Sequence, residues 1–131
     1  MNQQQLKWSE FHGGYSVTVI RYFNVPQMAG IYLLWNKHES GKWRCFYVGQ
    51  AVNLKQRLLK HLTADEKNED IKWNLKNNSC GFEYAVVDKQ NDRDGIEKYL
   101  YDFYNPECND FSPPDVEAIP VNFPNSDTTQ R

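Results

Sequence analysis

The chain has 131 residues, 40% of them hydrophobic and 24% charged, which is typical of one folded domain and excludes two ordinary domains or a disordered chain. A mean hydropathy of −0.79 and the absence of an apolar run of about 18 residues exclude a membrane-spanning helix, and the polar first ten residues do not read as a secretory signal. We therefore expect a cytoplasmic protein with no membrane partner, and the net charge of −2 argues against binding nucleic acid through bulk positive charge.

The charges are unevenly distributed along the chain. Six basic residues stand between Lys37 and Lys60 against one acidic residue, whereas seven basic residues face fifteen acidic ones from His61 onward. This asymmetry favours one face that approaches phosphates and another that repels them or meets a different partner. An ordinary solvated surface with chance clustering is the alternative.

The first half of the chain predicts a strand, a hairpin and a helix. Residues 15–23 are rich in β-branched and aromatic side chains, which predicts an N-terminal strand. Two apolar runs, 30–35 and 44–49, are separated by a polar segment with a glycine and predict two central strands of a hairpin. In 53–62, leucines recur every four residues, which predicts a helix.

The second half predicts two more helices, one more strand and a tail. Residues 65–77 and 92–104 carry apolar side chains at helical spacing, and we expect Trp73 to add to the packed side of the first of these helices. Residues 82–88 predict a strand. Four prolines in 111–131 indicate a tail that packs on the core or stays mobile.

This order of elements predicts the architecture and the domain boundaries. We expect an α/β class domain, an α+β sandwich with a small central antiparallel sheet flanked by helices. It divides into an N-terminal extension with a strand (1–28), a core (29–110) and a Pro-rich C-terminal tail (111–131).

Short motifs are distributed along the predicted core. Gly30-Ile31-Tyr32 begins the first strand of the hairpin, and Tyr47-Val48-Gly49 ends the second, with Tyr47 fifteen residues after Tyr32. Arg57 follows Gly49 by eight residues, and His61 follows Arg57 by four. Farther on, Glu97 is followed by Pro106 after nine residues and by Asn109 after twelve.

In this joint spacing the chain resembles the GIY-YIG nuclease superfamily over about eighty residues. The resemblance implies an endonuclease that hydrolyses phosphodiester bonds of DNA with an activated water, leaving 5′-phosphate and 3′-hydroxyl ends. It also implies a catalytic set and a single divalent cation, Mg²⁺ or Mn²⁺. The catalytic set is Tyr32, Tyr47, Arg57, His61, Glu97 and Asn109.

The residue types suit this chemistry on their own terms. A glutamate such as Glu97 is an oxygen ligand for Mg²⁺, which takes one or two carboxylates and keeps several waters. Arg57 offers a permanently charged fork for a phosphate oxygen. Without the family spacing, a solvated helix residue is the commoner fate of both side chains.

The remaining site residues have roles implied by the resemblance and by their chemistry. We expect the Tyr32 and Tyr47 hydroxyls to share a cleft, with Tyr47 positioning water or phosphate. His61 titrates near neutrality and shares proton transfer with Tyr32. Asn109 braces the site, and the two signature glycines, Gly30 and Gly49, allow backbone turns or close approach to phosphate. Core packing is the alternative for both tyrosines.

Substrate contacts and partners are less constrained by the sequence. The candidates for contacting the nucleic-acid backbone are Lys42, Arg44, Lys55 and Lys60. Gln50 departs from the basic or small polar residue that many relatives carry after the second signature. A catalytically silent module that binds nucleic acid or a protein is the alternative function, as is a nuclease acting on RNA. A homodimer or a protein partner for targeting is a further expectation.

Overall fold

The computed structural model describes residues 4–109 and 115–124, which form four helices and three strands. In chain order these are α1 (Val17–Tyr22), β1 (Gly30–Lys37), β2 (Trp43–Ala51), α2 (Leu54–His61), α3 (Glu69–Asn77), β3 (Cys80–Val86) and α4 (Gln90–Tyr104). The α+β class, the hairpin, the third strand and the three core helices are confirmed, with boundaries shifted by a few residues.

The three strands form one antiparallel sheet in the order β2-β1-β3. The central strand β1 is buried from Gly30 to Asn36, because layers cover both of its faces. Our prediction that both hairpin strands are central was wrong for β2, which lies at one side of this sheet. The chain after α4 covers its outer edge, where the Cys108 N–H donates to the Phe46 carbonyl at 3.0 Å.

A short helix replaces the strand predicted in the N-terminal extension. The Ser16 hydroxyl accepts a hydrogen bond from the Val19 N–H at 3.2 Å and caps α1, whose Ile20 is fully buried. Burial of Ile20 and this cap outweigh the strand preference of the β-branched and aromatic residues in the segment. Extended pairing occurs earlier in the chain, where the backbones of His12 and Phe82 exchange two hydrogen bonds of 3.0 Å.

Helix α3 begins four residues later than the pattern predicted. The Asn68 side chain accepts hydrogen bonds from the N–H groups of Asp70 and Ile71 at 3.0 and 3.1 Å, which fixes the first turn. Trp73, expected on the packed side, is 60% exposed because Ile71 and Asn74 occupy the buried positions.

Alternation along β1 sends its side chains into two separate cores. Tyr32 and Leu34 pack on one face beneath α1 and α2, together with Leu54 and Leu58. The opposite face of the sheet is covered by α4 and the C-terminal segment, and its buried side chains include Ile31, Leu33, Trp35, Ile96 and Leu100.

The described part of the C-terminal stretch, 115–124, packs on the domain. The Ile119 N–H donates to the Gly95 carbonyl at 2.9 Å, and the Phe123 ring lies against the Phe103 ring with centroids 4.2 Å apart. The other positions of the predicted tail, 111–114 and 125–131, lie outside the described residues. None of the helices in the described ranges has the length and apolar character that crossing a bilayer requires.

Candidate active site

The hairpin register places Tyr32 directly opposite Gly49 on the neighbouring strand. A Cβ atom at position 49 would overlap the Tyr32 ring and would lie 2.5 Å from its hydroxyl oxygen and 2.7 Å from Cε2 of Tyr47. Gly49 therefore packs directly against the Tyr32 ring, and a side chain at this position would overlap it. The close approach that Gly49 allows is therefore that of the Tyr32 ring to the backbone of β2.

Gly30 allows close packing of different neighbours, Ala85 and Leu54. A Cβ there would overlap the Ala85 carbonyl oxygen and would lie 2.7 Å from Cδ1 of Leu54. The glycine permits the close contact of β1 with β3 and α2, so its place in the site is that of a packing residue.

A buried chain of hydrogen bonds begins at Tyr32. Its hydroxyl lies 2.7 Å from Nε2 of His61, and Nδ1 of the same imidazole is hydrogen-bonded to Oε1 of Glu66. Tyr32 is fully buried, and His61 and Glu66 are 1% and 7% exposed. The predicted sharing of one cleft by both tyrosines is therefore wrong for Tyr32, which lies behind the surface that Tyr47 reaches.

Burial controls the ionisation of this chain. Desolvation raises the pKa of Tyr32 well above its ordinary value, and the nearby charge and hydrogen bonding of Arg57 oppose this only in part. Desolvation also lowers the pKa of His61 and outweighs the opposing hydrogen bond and charge of Glu66. At neutral pH the chain therefore consists of a neutral tyrosine and a neutral imidazole able to accept a proton.

Helix α2 carries Arg57 and His61 four residues apart, so the two side chains leave the helix on one side. Arg57 lines a cavity of about 220 Å³ together with Tyr47 and Lys60. The same cavity is closed by the loop after α2, with Glu66 and Lys67. Burial raises the pKa of Tyr47, and the charge of Arg57 and hydrogen bonding from Arg57 and Tyr32 oppose the rise.

Glu97 approaches from α4 at the end of β2. Its Oε1 accepts a hydrogen bond of 2.9 Å from Nε2 of Gln50, which also donates to Oδ1 of Asp94 at 2.9 Å. Burial and then the negative charge of Asp94 raise the pKa of Glu97 against the hydrogen bond from Gln50. The charge of Glu97 also contributes to the raised pKa of Tyr47.

This donor set suits one hard cation held mainly by water and substrate. Within the described ranges no three histidine, cysteine, aspartate or glutamate side chains are grouped as a metal cage. Glu97 is a partly buried carboxylate whose burial disfavours the anion, and the side chain that donates to it, Gln50, is uncharged. Such a carboxylate suits Mg²⁺, which takes one or two carboxylates and keeps several waters. The residues present fit such an ion.

Asn109 braces β2 from outside the sheet. Its Oδ1 accepts from the Val48 N–H at 3.1 Å, and its Nδ2 donates to the Val48 carbonyl at 2.8 Å. The side chain thus pairs with the strand as another strand would, between Tyr47 and Gly49. Because these hydrogen bonds go to the backbone of β2, Asn109 is a positioning residue.

The four predicted nucleic-acid contacts divide into two groups. Lys55 and Lys60 flank Arg57 on α2, and Lys60 lines the same cavity. Arg44 stands five residues before Gly49 on β2, about 16 Å along the strand, and lies 3.9 Å from the Glu107 carboxylate. Lys42 precedes β2 and is exposed beside it. The structure brings Lys60 to the cavity, places Lys55 two residues from Arg57 where the helix directs it to another side, and leaves Arg44 and Lys42 at the far end of the hairpin.

Sequence reasoning missed Glu66 and the role of Gln50. Glu66 stands nine residues after Arg57 in a loop, where spacing carries no periodic signal. In the sequence alone, Gln50 stands out only as a departure from the residue that many relatives carry there. Its four hydrogen-bond partners, Gln90, Arg93, Asp94 and Glu97, all come from α4.

A model of the GIY-YIG catalytic domain family matches residues 28–109 of this chain. Two structures of the GIY-YIG N-terminal endonuclease domain of UvrC from Thermotoga maritima match 72% of the chain and 98–99% of their own length with TM-scores of 0.53. One is a point mutant, 23% identical to this chain, bound to its catalytic divalent cation. The other is 24% identical and is bound to magnesium. This likeness shows a common fold.

Two longer relatives carry the name UvrABC system protein C. The protein from Rickettsia canadensis is 28% identical over 86 residues, and the one from Rickettsia bellii is 24% identical over 89. The matches cover 66% and 68% of this chain but 12% and 13% of theirs. The chain therefore spans about an eighth of the length of the curated relatives it matches.

Proposed function

Because the chain belongs to the GIY-YIG catalytic domain family, we propose that it is an endonuclease that hydrolyses phosphodiester bonds of DNA with a divalent cation and an activated water. The products are 5′-phosphate and 3′-hydroxyl ends. The observation that carries the proposal is the cluster of Arg57, Tyr47 and Tyr32, from which hydrogen bonds lead to His61. DNA is the substrate class that the family resemblance implies.

Arg57 binds the scissile phosphate in this proposal. It is the permanently charged donor of the cavity, and its guanidinium suits non-bridging phosphate oxygens, on which charge accumulates during the reaction. Lys60 and Lys67 lie around the same cavity and hold the flanking backbone without reading the sequence.

A proton leaves the attacking water along the buried chain. Tyr47 reaches the cavity, so its oxygen positions the water and takes its proton. The Tyr47 ring stacks on the Tyr32 ring with centroids 6.0 Å apart, and the hydroxyl of Tyr32 is hydrogen-bonded to Nε2 of His61. Each tyrosine passes one proton on as it gains another, and His61 holds the proton at the end.

Glu97 would hold the divalent cation, Mg²⁺ or Mn²⁺, with Gln50 keeping its carboxylate in place. When bound, the cation would supply positive charge for the phosphoryl and departing 3′ oxygens. Asn109 and Gly49 act indirectly, since they hold β2 and the Tyr32 ring in position.

The test is cleavage by purified protein of supercoiled plasmid, single-stranded DNA, a branched DNA and RNA, with Mg²⁺, Mn²⁺ or EDTA. We expect cation-dependent cutting of DNA that Arg57→Ala and Glu97→Gln abolish. Arg21→Ala on α1 and the exposed Asp102→Asn on α4 are matched controls that keep full activity.

The other outcomes are informative as well. Cutting of RNA alone would change the substrate. Tight binding without cutting, by folded protein at stoichiometric amounts, would replace the proposal with a silent binding module. Cutting that survives both substitutions would overturn the assignment of the site.

We propose further that the chain acts in the cytoplasm and with a partner. Cys45, Cys80 and Cys108 are buried thiols, which a reducing compartment favours. The domain carries one cluster of this kind within its described residues, so cutting both strands of a duplex requires a second copy or a protein partner. Linear rather than nicked plasmid, rising with the square of protein concentration, would support a homodimer.

A further inference from the structure

We propose that Glu66 is a positioning residue whose carboxylate fixes His61 in the tautomer with its proton on Nδ1, so that Nε2 is the acceptor for the Tyr32 hydroxyl. The inference deepens the proposed function and rests on it, because it explains how the buried chain is set to take up a proton. Its structural part, the tautomer, can be measured without any cleavage.

Both oxygens of the Glu66 carboxylate are engaged. Oε1 is hydrogen-bonded to Nδ1 of His61, and Oε2 accepts from the Asn68 N–H at 2.8 Å. An ionised carboxylate only accepts hydrogen bonds, so Nδ1 must carry a hydrogen. In a neutral imidazole the other nitrogen then has a free lone pair, and the Tyr32 hydroxyl 2.7 Å away donates to it.

The loop that carries Glu66 is held at several points. The Glu66 N–H donates to the Thr63 carbonyl at 3.2 Å. Asn68 caps α3, and its Nδ2 donates to the Cys108 carbonyl at 2.7 Å. The carboxylate is therefore held against the imidazole by a braced turn that is 7% exposed at Glu66, which is the arrangement that positioning requires.

Charges around the pair keep both groups in the required state at neutral pH. Burial acts to raise the pKa of Glu66, but the Asn68 N–H, His61 and Arg57 outweigh it and hold the pKa below its ordinary value. The groups facing His61 are Tyr32, Tyr47, Arg57, Lys60 and Glu66, and the net result of burial and these charges is a lowered pKa. The acid is ionised and the base is neutral.

The decisive variant is Glu66→Gln, which keeps the shape of the side chain. The Asn68 N–H still needs an acceptor, so the amide oxygen takes the position of Oε2 and the amide NH₂ faces Nδ1 of His61. Only the tautomer with the hydrogen on Nε2 then fits, and Nε2 can no longer accept from Tyr32. Glu66→Gln therefore reverses the direction of hydrogen-bond donation through His61, and it leaves no cavity because the two side chains have the same shape.

Nitrogen-15 NMR of the imidazole reads the tautomer directly in the intact chain. We expect the wild type at pH 7.5 to show the hydrogen on Nδ1 of His61 and Glu66→Gln to show it on Nε2. With the DNA substrate that the wild type cuts, kcat of Glu66→Gln should fall by about 100-fold or more with KM nearly unchanged. Glu69→Gln, an exposed acid at the start of α3, should leave tautomer and rate as in the wild type.

A second comparison separates positioning from simple structural support. In a His61→Gln background, Glu66→Gln should cost little further activity, because Glu66 acts through His61. A wild type with its hydrogen on Nε2, or an unchanged tautomer in Glu66→Gln, would overturn the inference. So would an equal loss of kcat in both backgrounds. If no nucleic acid is cut by the wild type, the proposed function fails, while the NMR result still decides the placement of the proton.

Discussion

Replacing Gly49 with alanine should disable the site through one added methyl group. The Cβ at position 49 would lie 2.5 Å from the Tyr32 hydroxyl oxygen, whereas ordinary contacts begin at 3.4 Å. The ring must therefore withdraw by about 0.9 Å, and the strand opposite it cannot yield without breaking the hairpin register. A shift of this size separates Tyr32 from Nε2 of His61, now 2.7 Å away.

Two magnitudes follow from that displacement. Overpacking of a full core costs about 1–3 kcal/mol of unfolding free energy. Misplacement of a reacting group by about 1 Å costs on the order of 100-fold in rate. We expect Gly49→Ala to remain folded, with cleavage reduced about 100-fold at a temperature well below its midpoint of unfolding.

Urea denaturation and plasmid cleavage under identical conditions measure both effects. Gly14→Ala is the matched control, because its added Cβ would meet only Cγ2 of Val19, at an ordinary 3.7 Å. It should change stability by less than about 1 kcal/mol and leave cleavage as in the wild type. If Gly49→Ala cut at a rate within threefold of the wild type with unchanged stability, the Tyr32 ring would not depend on this glycine and the reasoning would be wrong.

Three further predictions concern charge and packing. Glu97→Gln should raise the unfolding free energy in EDTA at pH 7.5 by about 0.5–1 kcal/mol. Because the pKa of Glu97 is raised in the folded protein, the stability that this group contributes is present below pH 4.5 and is lost as the pH rises. A less stable variant in urea melts would contradict this. The pKa of His61 is lowered in the folded protein, so its effect on stability has the opposite pH dependence and stability is lost as the pH falls. The wild type should therefore lose more stability than His61→Gln below pH 6.5. Parallel pH profiles of the urea midpoints would refute this. Phe123→Ala should lower the unfolding free energy by about 1–3 kcal/mol because the ring contacts with Phe103 and Tyr99 are lost. Cleavage at temperatures well below the midpoint of unfolding should be unchanged. A variant with the stability of the wild type would show that the C-terminal segment does not stabilise the domain.

The parts of the fold that the sequence predicted well are those with a strong local signal. Leucines at four-residue steps gave α2, and its cap Asn53 accepts from the Gln56 N–H at 3.0 Å. The two signature tripeptides marked the hairpin, whose register then brings Tyr32 and Gly49 together. In these cases one segment contains enough information to define its own structure.

The parts that were missed depend on contacts between distant segments. The helix at Val17–Tyr22 is stabilised by burial of Ile20, which local propensity does not report. The burial of Tyr32 depends on layers contributed by other elements, so its hydroxyl faces His61 and not the open cavity. Gln50 acquires its role only when α4 folds across the end of β2.

Both long edges of the three-stranded sheet are bonded in part by other segments within the stretches that the structure describes. Residues 9–15 bond to the outer side of β3 at Cys80, Phe82 and Tyr84, and Cys108 and Asn109 bond to the outer side of β2. A naked strand edge is a template for aggregation and for sheet-extending dimers. Because these segments already occupy backbone groups at those positions, strand pairing with a second copy is blocked there, and side chains on the helices and the hairpin tip offer the alternative surface for a partner.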